Sequence, residues 1–195
     1  MTKAFQKVEP MNWGRLHAAE QFYRARGFQY EETPWVVPLS VAQETMPSDA
    51  NPFFVYKGDS SREEAVLVGS AEQGFLSLRE DGRLRRNQRY VSVSPCFRGE
   101  SDSSLVPGVT QLVFMKVELF SWTLEGSTDY LQFMSLAREF MESQGAKCTV
   151  QKTELGWDLI CGGVEVGSYG CRDKGTIQYG TGLAEPRFTF ALAGQ

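Results

Sequence analysis

The sequence predicts an α/β (α+β) domain, an antiparallel β-sheet flanked by helices, and three observations carry that reading. Residues 12–26 and 128–144 place their apolar side chains at helical spacing. Two β-rich runs, YVSVSPCFRGE (90–100) and LVFMKVELF (112–120), flank the polar loop SDSSLVPGVTQ, which is the pattern of a long antiparallel hairpin. After residue 147, short β-rich runs alternate with glycines, which predicts three or more further antiparallel strands and a terminal apolar segment.

The first helix carries Trp13, Leu16, Ala19, Phe22 and Tyr23 on one stripe, with Asn12 as N-cap and Gly27 just past its end. His17, the single histidine, falls near that stripe with no evident orienting partner, so a packed or half-exposed helix residue is expected rather than a catalyst. FQYEETPWVV (28–37) reads as a strand in which Pro34 ends regular pairing, at an edge or an interface. Residues 44–64 are polar and proline-containing and read as a long excursion that could lie over a site. AVLVGSAEQGFLSL (65–78) then reads as a strand, a turn at Gly69-Ser70 and a short helix, with Glu72 favourably placed at the helix start. Arg83, Arg85, Arg86 and Arg89 surround the Asp81-Gly82 turn; a solvated connection is the expected role, with RNA contact as the alternative. In the second helix Tyr130, Phe133, Met134, Ala137, Phe140 and Met141 form a core stripe, capped by Ser127 or Thr128 and closed by Gly145.

The totals bound the function. The chain has 195 residues, enough for one packed core, and no internal repeat or low-complexity break, so a single domain over 1–195 is expected. Hydrophobic content of 42% and charged content of 23% are ordinary for a globular protein, and a net charge of −4 argues against bulk electrostatic attraction of nucleic acid. Cys96, Cys148, Cys161 and Cys171 form no CxxC pair and are expected as reduced, buried thiols, with a disulfide or zinc role as the alternative. No run approaches the roughly twenty apolar residues of a membrane span, and MTKAFQKVEP lacks a signal-peptide core, so a cytoplasmic protein is expected.

The hairpin is where chemistry first shows. Arg98 and Glu100 are two residues apart and face one side of the strand, with Phe114 on the second run. A guanidinium fork, a carboxylate and an aromatic surface match the phosphate, the exocyclic amine and the ring of a nucleotide. An Arg–Glu pair on a solvated sheet face is the alternative these residues leave open.

Three separated stretches together resemble the class II aminoacyl-tRNA synthetases. RARGFQYEETPW looks like their first signature, with Pro34 at the position of the dimer-interface proline; YVSVSPCFRGE with FMKVELF looks like the second; GTGLAEPRFTFAL looks like the third. Among the subgroups the residues around SAEQ, PCFRGE, KVEL, VEVGS and GLAEPR most resemble the seryl-tRNA synthetase core, over roughly residues 15–192. The resemblance implies ATP and Mg2+ as cofactors and an amino acid as substrate. Arg98 would hold the α-phosphate, Glu100 would accept from the adenine amine, and Phe114 would stack beneath adenine. Arg187 would cover the other adenine face and reach the γ-phosphate. Glu165 and Ser168 would hold Mg2+, Glu72 would pair with the α-ammonium, and Glu118 would line the amino-acid pocket. The implied reaction is aminoacyl-adenylate formation, in which the carboxylate is itself the nucleophile and no general base is needed.

Departures shape the expectation. The loop SDSSLVPGVTQ has none of the basic residues that relatives use on the terminal phosphates, and Glu185-Pro186 stands before Arg187 where relatives prefer smaller residues. Neither a coiled-coil tRNA-binding arm nor an anticodon-binding domain is expected, so the acceptor implied is a carrier protein, a small molecule or a tRNA reached in some other way. The alternative is a catalytically inactive paralogue acting as a binding or regulatory subunit. Ala71 and Glu72 stand where zinc-dependent relatives carry a cysteine, so zinc is not expected. A homodimer through the Pro34 region completes the implied picture.

Overall fold

The structure is a computed structural model that describes residues 10–47, 50–56, 64–99 and 104–195. Helix α1 (Trp13–Arg24) begins as expected: Asn12 Oδ1 accepts from the Arg15 amide at 2.9 Å, satisfying one donor that the first turn cannot pair internally. Leu16, Ala19 and Tyr23 are buried, Trp13 is exposed, and His17 is a surface residue 3.3 Å from Glu20.

Residues 28–37, expected as one strand, divide between two sheets. Gln29–Tyr30 (β1) runs parallel to the first strand of the long hairpin, whereas Val36–Pro38 (β2) joins a separate three-stranded sheet. The change of direction falls at Pro34, which has no N–H to donate to a ladder. The excursion expected over 44–64 lies partly outside the described residues, which omit 48–49 and 57–63. A five-residue helix, Leu39–Gln43 (α2), precedes it, and its described part holds a strand, Phe54–Val55 (β3), which pairs with Ala65–Leu67 (β4). Val37, Ala42, Val66 and Val68 form the small core of this sheet.

Helix α3 (Ala71–Glu80) is capped by Ser70, whose Oγ accepts from the Glu72 amide at 3.3 Å. Gly74 lies where α3 crosses the Pro34 turn, and a Cβ there would sit 2.7 Å from Thr33 Cβ and 2.9 Å from Pro34 O. Gly74→Ala is therefore expected to destabilise by about 1–2 kcal/mol, overpacking outweighing the ~1 kcal/mol gain in helix propensity. Urea unfolding measures this; an unchanged or raised midpoint would rule out the close approach.

The hairpin strands are β5 (Arg89–Phe97) and β6 (Val113–Trp122), antiparallel with Tyr90 opposite Phe120 and Cys96 opposite Phe114. Helix α4 (Asp129–Ser143) buries Phe133, Ala137, Phe140 and Met141 as its stripe predicts. Strands β7 (Cys148–Lys152), β8 (Gly156–Cys161), β9 (Val164–Arg172) and β10 (Ile177–Glu185) follow, and α5 (Arg187–Ala193) ends the described chain. The main sheet has the order β1-β5-β6-β10-β9-β8-β7, with every pair antiparallel except β1–β5. One face carries the principal core: Val91, Val117, Leu119, Tyr169 and Leu183 pack beneath α1, α4 and α5. The opposite face is covered at one end by α3, where Phe75 stacks on Phe120 at 4.9 Å beside Tyr90 and Ile177.

The cysteine expectation is corrected for three residues. Cys148 and Cys161 are direct cross-strand partners on β7 and β8 and form a disulfide. Cys96 is a buried free thiol, and Cys171 is free but exposed. Spacing could not reveal the pair because hairpin register, not sequence separation, brings the two sulfurs together. Thiol titration is expected to find one reactive cysteine in the native protein, a second after denaturation and four after reduction; four without reductant would refute the bridge. Among the described residues no helix is long and apolar enough to cross a membrane.

Candidate active site

Residues opposite one another in adjacent strands share a face of the sheet. That rule puts Ser92, Ser94 and Cys96 of β5 with Phe114, Lys116 and Glu118 of β6 on the face away from α1 and α4. Tyr179 and Thr181 of β10 join them, opposite Phe120 and Glu118, and so do Arg172 and Ser168 of β9. Glu165 and Ser168 are three apart, an odd spacing that ordinarily sends side chains to opposite faces. Here the register shifts between Leu159 and Ile160, so Glu165 pairs with Ile160 while Ser168 pairs with Asp158. The bulge returns Glu165 to the Ser168 face.

At one end of this face two arginines from distant parts of the chain meet one ring. The Arg98 guanidinium carbon is 5.2 Å from the Phe114 centroid, and that of Arg187 is 6.0 Å away. Arg98 lies one residue beyond β5, where its amide donates to Leu112 O at 2.9 Å and continues the ladder; its exposed side chain reaches Gly69 O at 3.5 Å. Arg187 opens α5. Its Nε donates to Val109 O in the hairpin loop at 2.9 Å, and its Nη1 lies 3.6 Å from Glu165 Oε1. Glu100, expected beside Arg98, lies outside the described residues.

Glu185, two residues before Arg187, anchors the helix that Arg187 opens. Glu185 is fully buried, accepts from Arg15 Nη1 at 2.6 Å, and receives the Thr189 hydroxyl at 2.7 Å and the Thr189 amide at 3.4 Å. One carboxylate thus ties α5 to α1 and satisfies a donor of the first turn of α5. The Glu185–Pro186 peptide is cis.

Further along the face lies a mixed-charge cluster. Glu118, 2% exposed, accepts from Lys116 Nζ at 3.0 Å and from Ser70 Oγ at 2.9 Å. Glu72, 5% exposed, accepts from Arg172 Nε at 2.9 Å, and the Arg172 guanidinium lies 4.9 Å from the Tyr179 ring centroid. Burial pushes the Glu72 carboxyl up, Arg172 pulls it back, and Glu118 adds repulsion, so the two carboxylates share one electrostatic environment. Burial also drives the Cys96 thiol up to about 12, and it stays protonated at neutral pH. Asp158 is pushed up by burial and by Glu165, against a hydrogen bond from Ser168.

All of the expected site residues that are described therefore share one face: Arg98, Phe114, Arg187 and Glu165 at one end, Glu72 and Glu118 at the other, with Ser168 on the same side. The sequence reading missed Arg172 as partner of Glu72, and missed Ser70 and Tyr179. The parity of Arg172 and Ser168, four apart on one strand, was the signal available for Arg172. Of the arginine cluster, Arg83 pairs with Glu31, Arg89 with Asp129, and Arg86 lies over Trp122. These are the contacts of a structural connection. A surface depression of about 480 Å³, lined by residues including Asn87, Arg89, Ser127 and Asp129, lies apart from the candidate site.

No family model and no curated protein sequence matches the chain. Solved structures do. The seryl-tRNA synthetase of Pyrococcus horikoshii complexed with ATP superposes with a TM-score of 0.73 and 20% identity over 90% of this chain. The fold is that of a class II synthetase catalytic core. The cytoplasmic serine-tRNA ligase of Naegleria fowleri in complex with AMP gives 0.72 and 18% identity over 92% of the chain. PylSc, a pyrrolysyl-tRNA synthetase of Desulfitobacterium hafniense, gives 0.68 and 17% over 95%. The chain spans 48% of each seryl enzyme and 68% of PylSc.

Proposed function

We propose that this class II core activates an amino acid with ATP, forming an aminoacyl-adenylate, and passes the acyl group to an acceptor. The observation that carries this reading is the convergence of Arg98 and Arg187 on Phe114 in a fold shared with synthetases solved with ATP and AMP. Phe114 offers adenine a stacking face and Arg187 covers it. A purine between them needs about 7 Å, two stacking separations of ~3.5 Å, so Arg187 withdraws by roughly 1 Å from its present 6.0 Å. Glu100 accepts from the adenine amine in this reading.

The reaction follows from charge and position. A carboxylate oxygen of the amino acid attacks the α-phosphorus, the bond from that phosphorus to the bridging oxygen breaks, and pyrophosphate leaves. Arg98 stabilises the negative charge that grows on the α-phosphate, and no proton moves. Glu118 lines the amino-acid pocket and Glu72 pairs with the α-ammonium. Glu165 and Ser168, hard oxygen donors on one face, would hold a Mg2+. When bound, the metal would supply further neutralisation of the phosphates.

Exposed Trp35, Val36, Phe53, Phe54 and Tyr56 lie on and beside the small sheet next to Pro34, an apolar surface that supports a homodimer there. The described residues act as one catalytic domain in this reading, at a cytoplasmic location, and the acceptor is a carrier protein, a small molecule or a tRNA. A second reading, a non-catalytic binding or regulatory subunit, draws on the contact of Arg187 Nε with Val109 O, which spends a site arginine on the protein's own loop.

Pyrophosphate exchange dependent on an amino acid, with ATP binding followed by calorimetry, separates the two. Exchange supports the enzyme. ATP binding without exchange supports the regulatory subunit, and loss of both removes the adenylation reading.

A further inference from the structure

The seven-stranded sheet ends on β1 at one side, with two residues, and on β7 at the other, with five. Thr149, Val150, Gln151 and Lys152 are exposed, and among the described residues no strand pairs with the outer side of β7. Sheet edges are ordinarily blunted by proline, by bulges or by several charges. β7 has no proline, its register with β8 runs unbroken, and Lys152 is its single charge. The Cys148–Cys161 bridge ties the start of the strand to the sheet.

The pairing with β8 decides which backbone groups point outward. Cys148 and Cys161 face each other with Cα atoms 4.6 Å apart, the separation of a cross-strand pair that exchanges no ladder hydrogen bonds. Bonded and non-bonded pairs alternate, so Thr149 and Gln151 bond to β8. Thr153 continues that series, its amide donating to Gly156 O at 2.9 Å. The N–H and C=O groups of Cys148, Val150 and Lys152 therefore face outward, ready for another strand.

We propose that the strand they receive is β7 of a second copy, paired antiparallel about a two-fold axis between the two Val150 residues. The outward residues lie symmetrically about Val150. In this register Val150 meets the partner's Val150 and Cys148 meets the partner's Lys152, so every outward N–H and C=O of both copies is paired. A slip of two residues leaves some of them unpaired, and a slip of one sets outward groups against inward ones. The side chains agree with the register. The central pair is apolar, and Thr149 meets the partner's Gln151 on the face that carries Asp158 and Ser168. Lys152 stands opposite an uncharged residue, so no like charges oppose each other. A strand from another protein could use the same backbone groups, but it has no need of an edge symmetric about its own centre. Self-pairing does. The two sheets join into one, with both candidate sites on the same face. A single strand edge buries little surface, so the contact is transient and depends on concentration.

Amide exchange with solvent, followed by NMR on the full chain at rising concentration, tests this at the residues concerned. The amides of Cys148, Val150 and Lys152 are expected to exchange at least about tenfold more slowly at about 1 mM than at about 20 µM, with smaller changes at Thr149 and Gln151. Over the same range sedimentation should show the mass approaching twice that of the species present at dilution, whether that species is a monomer or a dimer built near Pro34. Val150→Pro removes one outward N–H without touching the ladder to β8, and Val150→Lys sets two like charges opposite each other at the axis. Both variants are expected to abolish the rise in mass and the slowing of exchange. If Val150→Pro does not fold, Val150→Lys carries the test, because Val150 is 37% exposed. Exchange at the three amides that ignores concentration overturns the proposal, as does association that persists in Val150→Lys. A rise in mass with no slowing at β7 also overturns it and places the contact elsewhere. The adenylation reading stands or falls apart from these results, since none of its residues lies on β7.

Discussion

Arg98→Ala is expected to lower amino-acid-dependent pyrophosphate exchange by about 10²–10³-fold while leaving the protein folded. The first half follows from its place beside Phe114, where a fixed guanidinium meets the charge that develops on the α-phosphate. The second follows from exposure: Arg98 lies beyond the end of β5, and besides the Phe114 ring its side chain has only a long contact to Gly69 O, at 3.5 Å, among the described residues. Arg98→Lys is expected to recover only part of the activity, because a point charge replaces a planar fork. Exchange rates and melting curves measured on the same preparations separate the two effects. An Arg98→Ala protein with undiminished exchange would remove Arg98 from the chemistry.

Glu185→Ala has its largest expected effect on stability. Its carboxylate is fully buried against Arg15, whose side chain is 16% exposed, and it also holds the Thr189 hydroxyl and amide. Removing it leaves a largely buried guanidinium and a helix amide without their acceptor, and breaking such a pair costs about 3 kcal/mol. For a chain of this size that lowers the melting temperature by roughly 6–12 °C. Glu185→Gln keeps an acceptor for Thr189 but loses the charge, so an intermediate loss is expected. Because Arg187 starts the helix that Glu185 anchors, ATP affinity should fall in step with stability across the two variants. Calorimetric unfolding and ATP titration check this; a melting temperature within 2 °C of wild type for Glu185→Ala would show that Arg15 finds another acceptor.

Much of the fold was legible because its signals are local. The stripe Leu16, Ala19, Tyr23 and the stripe Phe133, Ala137, Phe140, Met141 each repeat at the helical period, and each is buried. The hairpin from Arg89 to Trp122 shows strong β character on both sides of a polar loop. Where the expectation failed, the deciding interaction was long-range. FQYEETPWVV has the residues of a strand throughout, yet it serves two sheets because β5 pairs with its first half and β4 with its second. The strand in the excursion, Phe54–Val55, is two residues long and exists only through its pairing with β4. Cys148 and Cys161 are partners through register alone.

The candidate site divides in the same way. Arg98 and Phe114 face a common side because strand alternation and a hairpin register put them there, and both follow from the residues in order. Arg187 could be named by resemblance, but its approach to Phe114 depends on α5 being pinned by Glu185 to Arg15, some 170 residues away in sequence. Glu165 shares a face with Ser168 only because β9 bulges against β8, and Glu72 meets Arg172 only because α3 covers that end of the sheet. The amino-acid sequence alone determined the helical stripes, the hairpin and the residue types needed for a nucleotide, since these depend on neighbours within a turn or a strand. The tertiary structure decided which carboxylate is matched by which cation, because partners a hundred residues apart meet only after the sheet has closed around them.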